Sequence, residues 1–262
     1  MEDKDLDELL KRITADLECW KGKSGDVFYS GRSTLVQGDF YLMGLNPGGN
    51  LEKEPHPLTI ADSLKNWRNK SESWSEYECE RWKRGEILLG PGEAQHQKNV
   101  VYLCNEVLKR DVRSVFSANA VFLRTPTAGG LPEDEVDNGL YSKCWQVHKR
   151  LISIIQPGVI VCIGNGVGGY NSSSFKLIAQ WLKIEQEPKA QSRRCGKRIA
   201  SVRSFDKPIT ICPEEGGQTI RCGVIGVPHP SRYWYPQIEN FEETIQDIFK
   251  KWSLDFSELH KS

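Results

Sequence analysis

The chain has 262 residues, 38% of them hydrophobic, with 35 Lys+Arg set against 35 Asp+Glu. A chain of that length buries a core without disulfide or metal staples, and its composition excludes a disordered tail, a collagen-like fibre and a disulfide mini-scaffold. A formal net charge of +0 excludes a wholesale polycation. It leaves nucleic-acid binding open, because only the surface facing phosphate has to be basic.

Leu6, Leu9, Leu10, Ile13, Leu17 and Trp20 recur at helical spacing and predict a helix over 5–20. Val27-Phe28 and Leu35-Val36 read as short strands. Residues 39–45 read as a buried strand running into Asn46-Pro47-Gly48-Gly49. The stretch 50–98 is polar, with Trp67, Trp74, Tyr77 and Trp82 interspersed. A helix is predicted over 97–109, a strand over 115–123 and a helix over 141–155, closed by Pro157. The apolar, β-branched run 158–163 predicts a buried strand. A helix over 174–182 follows, then a hairpin or long insertion over 183–222, a strand over 223–227 and a closing helix over 237–252. Short buried strands alternating with helices predict an α/β fold. The expected architecture is a three-layer α/β/α domain over 1–252, with a central, mostly parallel sheet of four to five strands. The segment 183–222 is a basic insertion in it, and 253–262 a flexible tail.

No stretch approaches the roughly 20 apolar residues of a membrane helix. The acidic opening Met1-Glu2-Asp3-Lys4-Asp5 lacks the basic start of a signal peptide, so a soluble, cytoplasmic, monomeric protein without a membrane partner is expected. Cys19, Cys79, Cys104, Cys144, Cys162, Cys195, Cys212 and Cys222 include no C-x-x-C pair. Reduced thiols, with no metal and no cofactor, are therefore expected. Cys104 and Cys162 sit in apolar runs and read as buried small hydrophobes.

In parallel sheets the site lies beyond the carboxyl ends of the strands, and three strand-to-loop junctions carry unusual polar residues. At Gly44-Leu45-Asn46-Pro47-Gly48-Gly49, Pro fixes its own φ and the glycines let backbone N–H groups approach a ligand. At Ser117-Ala118-Asn119-Ala120-Val121-Phe122, a single amide lies in an apolar strand, where it must satisfy its donors and acceptor. Offering them to a nucleobase edge is one way to do so, and a satisfied core Asn is the other. At Val227-Pro228-His229-Pro230-Ser231-Arg232-Tyr233-Trp234, a His between prolines is held in an extended loop. An exposed tip follows it, of the kind that wedges into a stacked duplex.

In order, strand context and spacing, these three motifs resemble the uracil-DNA glycosylase superfamily over about residues 39–252. Gly44-Leu45-Asn46-Pro47-Gly48 is similar to its first motif in the mismatch-specific and single-strand-selective branches, which carry Asn. His229-Pro230-Ser231 is similar to its second motif, Asn119-Ala120-Val121 to the strand bearing the base-reading Asn, and 159–164 to a later core strand. The resemblance implies a glycosylase that flips a base out of DNA and hydrolyses its N-glycosidic bond to leave an abasic site. Asn46 would position water. Backbone N–H groups near Leu45 and Gly48, in the turn set by Gly44 and Pro47, would meet base or phosphate. Asn119 would read the base, and a neutral His229 would stabilise negative charge on its carbonyl. Ser231 would bind phosphate, and Arg232 would fill the gap in the stack. The sequence departs from the family in its long segment between Asn119 and His229 and in lacking a clear base-stacking aromatic. The base is therefore left open among uracil, mismatched thymine and a modified base. Some members of the superfamily excise glucosylated hydroxymethylcytosine in phage defence, and the many tryptophans suit sugar faces.

Residues 183–207 hold eight basic and three acidic residues. Arg193, Arg194, Lys197 and Arg198 are thus expected to meet phosphate, with the chain nucleoid-associated while it acts. Two other readings stay open. Gly164-Asn165-Gly166-Val167-Gly168-Gly169 satisfies G-x-G-x-x-G after a strand, with Glu185 about 20 residues on, as in an NAD(P)-binding oxidoreductase. The same scaffold could also be a DNA-binding or partner-docking module without turnover.

Overall fold

The computed structural model describes residues 2–49, 58–125, 135, 138–165, 173–212 and 218–254. Strand β1 (Phe40–Gly44) lies between β4 (Phe116–Asn119) and β5 (Val159–Ile163), and β5 pairs in turn with β9 (Ile220–Val227). All three pairings are parallel. The first strand thus has the second parallel strand of the chain on one side and the third on the other. That reversal opens a crevice at the carboxyl ends.

These strands read as continuous apolar runs because both faces are covered. Tyr41 and Met43 of β1, Ile160 and Cys162 of β5, and Cys222 and Val224 of β9 face one core, with Leu6, Leu9, Cys144, Val147 and Leu151. Those last residues belong to α1 (Asp3–Asp16) and α5 (Leu140–Ile155). Phe40, Leu42, Val161, Ile225 and Val227 face the other core, with Val100 of α4 (Gln95–Tyr102) and Ile245 and Phe249 of α7 (Phe241–Lys251). The layering is that expected of an α/β fold.

The strand count is not. The sheet has seven strands rather than four or five, because the segment 183–222 supplies β6 (Lys189–Cys195), β7 (Arg198–Ser204) and β8 (Ile209–Ile211). β7 and β8 pair antiparallel with different stretches of β9, and β6 pairs antiparallel with β7. The polar stretch 50–98 forms α2 (Ile60–Arg68), the short α3 (Glu76–Cys79) and a separate antiparallel hairpin, β2 (Arg81–Arg84) with β3 (Ile87–Pro91). Thr59 starts α2 as a capping box with Asp62.

Smaller differences have local causes. α1 stops at Asp16, and Leu17 and Trp20 reach the core from turns. Leu35-Val36 makes no strand, since the preceding 32–34 wind into a 3-10 turn. β4 ends at Asn119, beyond which the chain leaves the sheet. α4 begins two residues early and passes into a π turn over Leu103–Val107. Ser173 caps α6 (Ser174–Trp181). Cys104 and Cys162 are buried as expected. Among the described residues, no helix is long and apolar enough to cross a membrane, and no group of three or more His, Cys, Asp or Glu is placed to hold a metal. The tail beyond 254 lies outside the described residues.

Candidate functional site

Asn46, Asn119 and His229 stand at or just past the carboxyl ends of β1, β4 and β9. Adjacent strands are about 4.8 Å apart, so Asn119 lies about one strand spacing from the Asn46 loop and His229 about two.

The Asn46 loop is laced to the chain leaving β4. Ala120 N–H donates to Gly44 O (2.8 Å), Val121 N–H to Leu45 O (2.8 Å) and Thr125 N–H to Pro47 O (3.2 Å). Asn46 Nδ2 donates to Thr125 Oγ1 (2.8 Å) and Pro47 O (3.1 Å). With both amide hydrogens engaged, the acceptor Oδ1 is the atom the side chain can offer to a water. Arg124 lies across Gly49, whose φ is +132°, and donates to Gly48 O. A Cβ on Gly48 would meet nothing within 4 Å among the described residues.

Asn119 is 4% exposed, and its Nδ2 is buried without a hydrogen-bond partner among the described residues. Leaving such a group unpaired costs about 1–3 kcal/mol. Gly44 makes room for the amide, since a Cβ there would stand 2.3 Å from Asn119 Oδ1. His148 of α5 steadies the next residue: its Nε2 lies 3.0 Å from Ala120 O and its Nδ1 2.6 Å from Tyr41 Oη. Tyr41 donates to Nδ1 and Nε2–H to the carbonyl, so the ring is neutral, and burial holds its pKa down at about 4.

His229 faces solvent, against Gly164 at the end of β5. Ser231 N–H donates to its Nδ1 (3.2 Å). An acceptor at Nδ1 fixes the neutral Nε2–H tautomer. Desolvation by the surrounding loop, helped by the Arg232 charge, pushes its pKa below the ordinary 6.5. The imidazole therefore presents a neutral N–H donor at physiological pH.

The loop carrying His229 is held from two sides, on one of them by residues the sequence does not single out, Gln95, His96 and Asn99. From α4, buried Asn99 donates to Pro230 O and Tyr233 O (2.7 Å each) and accepts from Tyr235 N–H (2.9 Å). Gln95 donates to the same two carbonyls at 3.1 and 3.4 Å. His96 Nδ1 lies 3.2 Å from Ser231 Oγ, and its ring stands edge to face with His229 at 5.4 Å. Burial, with a smaller contribution from His229, pushes the His96 pKa down to about 3. From the other side, Arg198 donates to Arg232 O (2.8 Å) and Tyr233 Oη to Ile199 O (2.9 Å).

The inserted hairpin is thus a buttress as well as a source of cations. Arg194, Lys197, Arg198 and Arg232 are exposed beside the loop. Arg193 is not part of that surface, because it lies half-buried and donates to Thr244 Oγ1 of α7 (2.8 Å). Ser231 is exposed, with its hydroxyl against His96.

Tyr77 stacks on His96 (6.2 Å) and its hydroxyl meets Ser117 Oγ (3.2 Å), two residues before Asn119 and on the same strand face. Glu76 next to it accepts from Trp82 Nε1 (2.7 Å), and Trp82 in turn stands edge-on to His96 (5.3 Å). Burial first, and then the nearby Asp26 charge, push the Glu76 carboxyl up to about 8. Asp26 is also raised by burial and accepts from Ser63 Oγ. The wall of the site therefore holds Glu76 with its carboxyl pushed toward the protonated form at neutral pH.

At the start of the glycine fingerprint, the described residues tie strands together. Gly164 (φ +108°) leads to Asn165, which donates to Gly226 O (2.9 Å) and Ser201 O and so pins β5 to β9 and β7. Gly166 to Gly169 lie outside the described residues. Glu185 precedes the antiparallel β6–β7 hairpin, whereas a ribose-binding acid follows the next parallel strand. A separate concavity of about 560 Å³, lined by Tyr77, Lys98, Tyr102, Arg113 and Trp234 among others, includes none of Asn46, Asn119 or His229. No family model and no curated protein matches the chain.

Proposed function

We propose that the chain is a DNA N-glycosylase of the uracil-DNA glycosylase type, hydrolysing the bond between deoxyribose and a flipped base. The observation that carries the reading is the triad of polar groups along one sheet edge. These are an Asn46 amide whose donors are engaged, a buried Asn119 Nδ2 without a partner among the described residues, and a His229 ring fixed as the Nε2–H tautomer.

Each group suits one need of the reaction. Water must be held at C1′ without strong base catalysis, because the departing base leaves as a stabilised anion. Asn46 Oδ1 serves as the acceptor for that water. An extruded base supplies the acceptor that Asn119 Nδ2 lacks, and this recovers the free energy of the unpaired amide. The neutral His229 donor meets negative charge growing on the base carbonyl. Deleting one such donor typically costs about 2.7–4 kcal/mol of barrier. Arg194, Lys197, Arg198 and Arg232 give phosphate a basic flank.

The test is single-turnover cleavage of oligonucleotides carrying uracil, mismatched thymine or glucosylated hydroxymethylcytosine, scored as abasic sites. Wild type forms abasic product on at least one of them, while Asn46→Ala and His229→Ala lose on the order of a hundredfold or more in rate and still bind. DNA binding with no abasic product from any substrate would favour the turnover-free module, and full activity in both variants would refute the residue roles.

A further inference from the structure

The β2–β3 hairpin stands apart from the main sheet. Its turn passes through Gly85, at φ +63°. Across the ladder Arg84 faces Ile87 and Lys83 faces Leu88. Ile87 is 66% exposed and Leu88 47%, and Arg81, Lys83 and Arg84 are exposed as well. Each exposed aliphatic therefore has a cation directly across from it. Two isolated strands are barely stable in water, so this hairpin needs an anchor, and the anchor is at its root. Trp82 Nε1 donates to Glu76 (2.7 Å), Arg81 Nε to Leu89 O (2.9 Å) and Gly90 N–H to Glu93 Oε2 (2.7 Å). The Trp82 ring stands on His96, and His96 stands on His229. The hairpin thus projects from the wall of the site, two ring contacts from His229, and holds two aliphatic side chains out in water.

We propose that this hairpin is a second DNA-contacting element, with Ile87 and Leu88 entering the base stack of a duplex beside the site and Arg81, Lys83 and Arg84 holding the flanking phosphates. The proposal rests on the glycosylase reading for its choice of partner. The exposed Glu86 sits at the turn, and Ile87 and Leu88 follow it on opposite faces of β3. An aliphatic flanked by cations has the chemistry of a wedge, unstacking a base step while the cations meet phosphate once the duplex bends toward them. The wedge favours duplex over single strand, because a single strand has little stacking to open.

The experiment is equilibrium binding of the full chain to a duplex and to the matching single strand. A 2-aminopurine in the duplex reports unstacking by its fluorescence. Wild type is expected to bind the duplex with a fluorescence rise. Ile87→Ser/Leu88→Ser should lose that rise and about tenfold in duplex affinity, while binding the single strand as wild type does. Lys83→Gln/Arg84→Gln should flatten the dependence of log affinity on log salt by about 2, one unit for each phosphate contact. Both pairs are exposed, and thermal melting checks that the variants stay folded. Unchanged duplex affinity and fluorescence in the serine variant would overturn the proposal. So would a wild-type dimer in light scattering that the serine variant converts to monomer, since the tip would then be a self-association surface. Binding and fluorescence do not depend on cleavage, so the two claims separate. Hairpin-dependent unstacking upholds the wedge even where the abasic-site assay finds no base release, and unstacking that ignores the hairpin removes the wedge even where that assay finds base release.

Discussion

Asn99→Ala should loosen the His229 loop without touching His229. Asn99 is fully buried and makes three bonds to that loop, donating to Pro230 O and Tyr233 O and accepting from Tyr235 N–H. Gln95 already donates to the two carbonyls, so the substitution does not orphan them. The N–H of buried Tyr235 has no such second partner in this network. Losing three net hydrogen bonds at about 0.5–1.5 kcal/mol each, with part of a desolvation penalty for one stranded N–H, gives a destabilisation of about 3 kcal/mol. For a chain of this size, that lowers the melting temperature by roughly 6–12 °C. Calorimetric melting of wild type, Asn99→Ala and Asn99→Asp reads the effect. Asp keeps the shape but turns an acceptor toward two carbonyls, so it should be at least as damaging as Ala. Nitrogen-resolved spectra of His229 should then show the Nε2–H tautomer giving way to a mixture as Ser231 N–H drifts. An Asn99→Ala protein that melts within a degree of wild type would refute the claim that α4 holds this loop.

Three further outcomes follow from the same geometry. Gly44→Ala would set a Cβ 2.3 Å from Asn119 Oδ1. It should cost about 1–3 kcal/mol of stability and lower the cleavage rate as much as Asn119→Ala does; a Gly44→Ala enzyme with wild-type rate would show that Asn119 does not read the base. Glu76, with its carboxyl pushed up to about 8 against an ordinary 4.5, keeps a proton in the folded chain that the unfolded chain has released. Stability conferred by that proton is full below about pH 4.5 and is lost as pH rises toward 8. Glu76→Gln should therefore gain on wild type by a few kcal/mol at pH 8.5 relative to pH 5, and parallel melting profiles would contradict it. His229, lowered from 6.5 mainly by desolvation, should place the midpoint of the acid fall in cleavage rate below pH 6.5. A rate already halved at pH 6.5 would mean that the ring titrates as a free histidine.

The parallel core was legible because burial on both faces writes each strand as an unbroken apolar run, as at 159–163. The junctions after β1 and β9 were legible because turn chemistry leaves a mark, as in Asn46-Pro47-Gly48 and Pro228-His229-Pro230. The supports of the site were not. Gln95, His96 and Asn99 look like the wet face of a helix, and their partners lie more than 130 residues away in sequence. Nor does a carboxylate announce its own burial: Glu76 and Asp26 look like surface acids until Trp82 and Ser63 are folded over them. The β2–β3 hairpin lacks the alternation of a half-buried strand, because Trp82 at its root packs on the core while Arg81, Lys83, Arg84, Ile87 and Leu88 are all exposed. The sheet was undercounted for a related reason, since β6 and β7 extend an edge and alternate weakly. Charge alone does not say which side of a strand a residue occupies, and Arg193 donates to Thr244 of α7.

The most direct measurement is mass spectrometry of the free base released from defined modified-base DNA by wild-type protein and by Asn119→Ala. The account predicts a free, intact base leaving an abasic strand of unchanged length, with release strongly reduced when the Asn119 amide is removed. A nicked or nucleotide-shortened strand with no free base, or release that ignores Asn119, would contradict it.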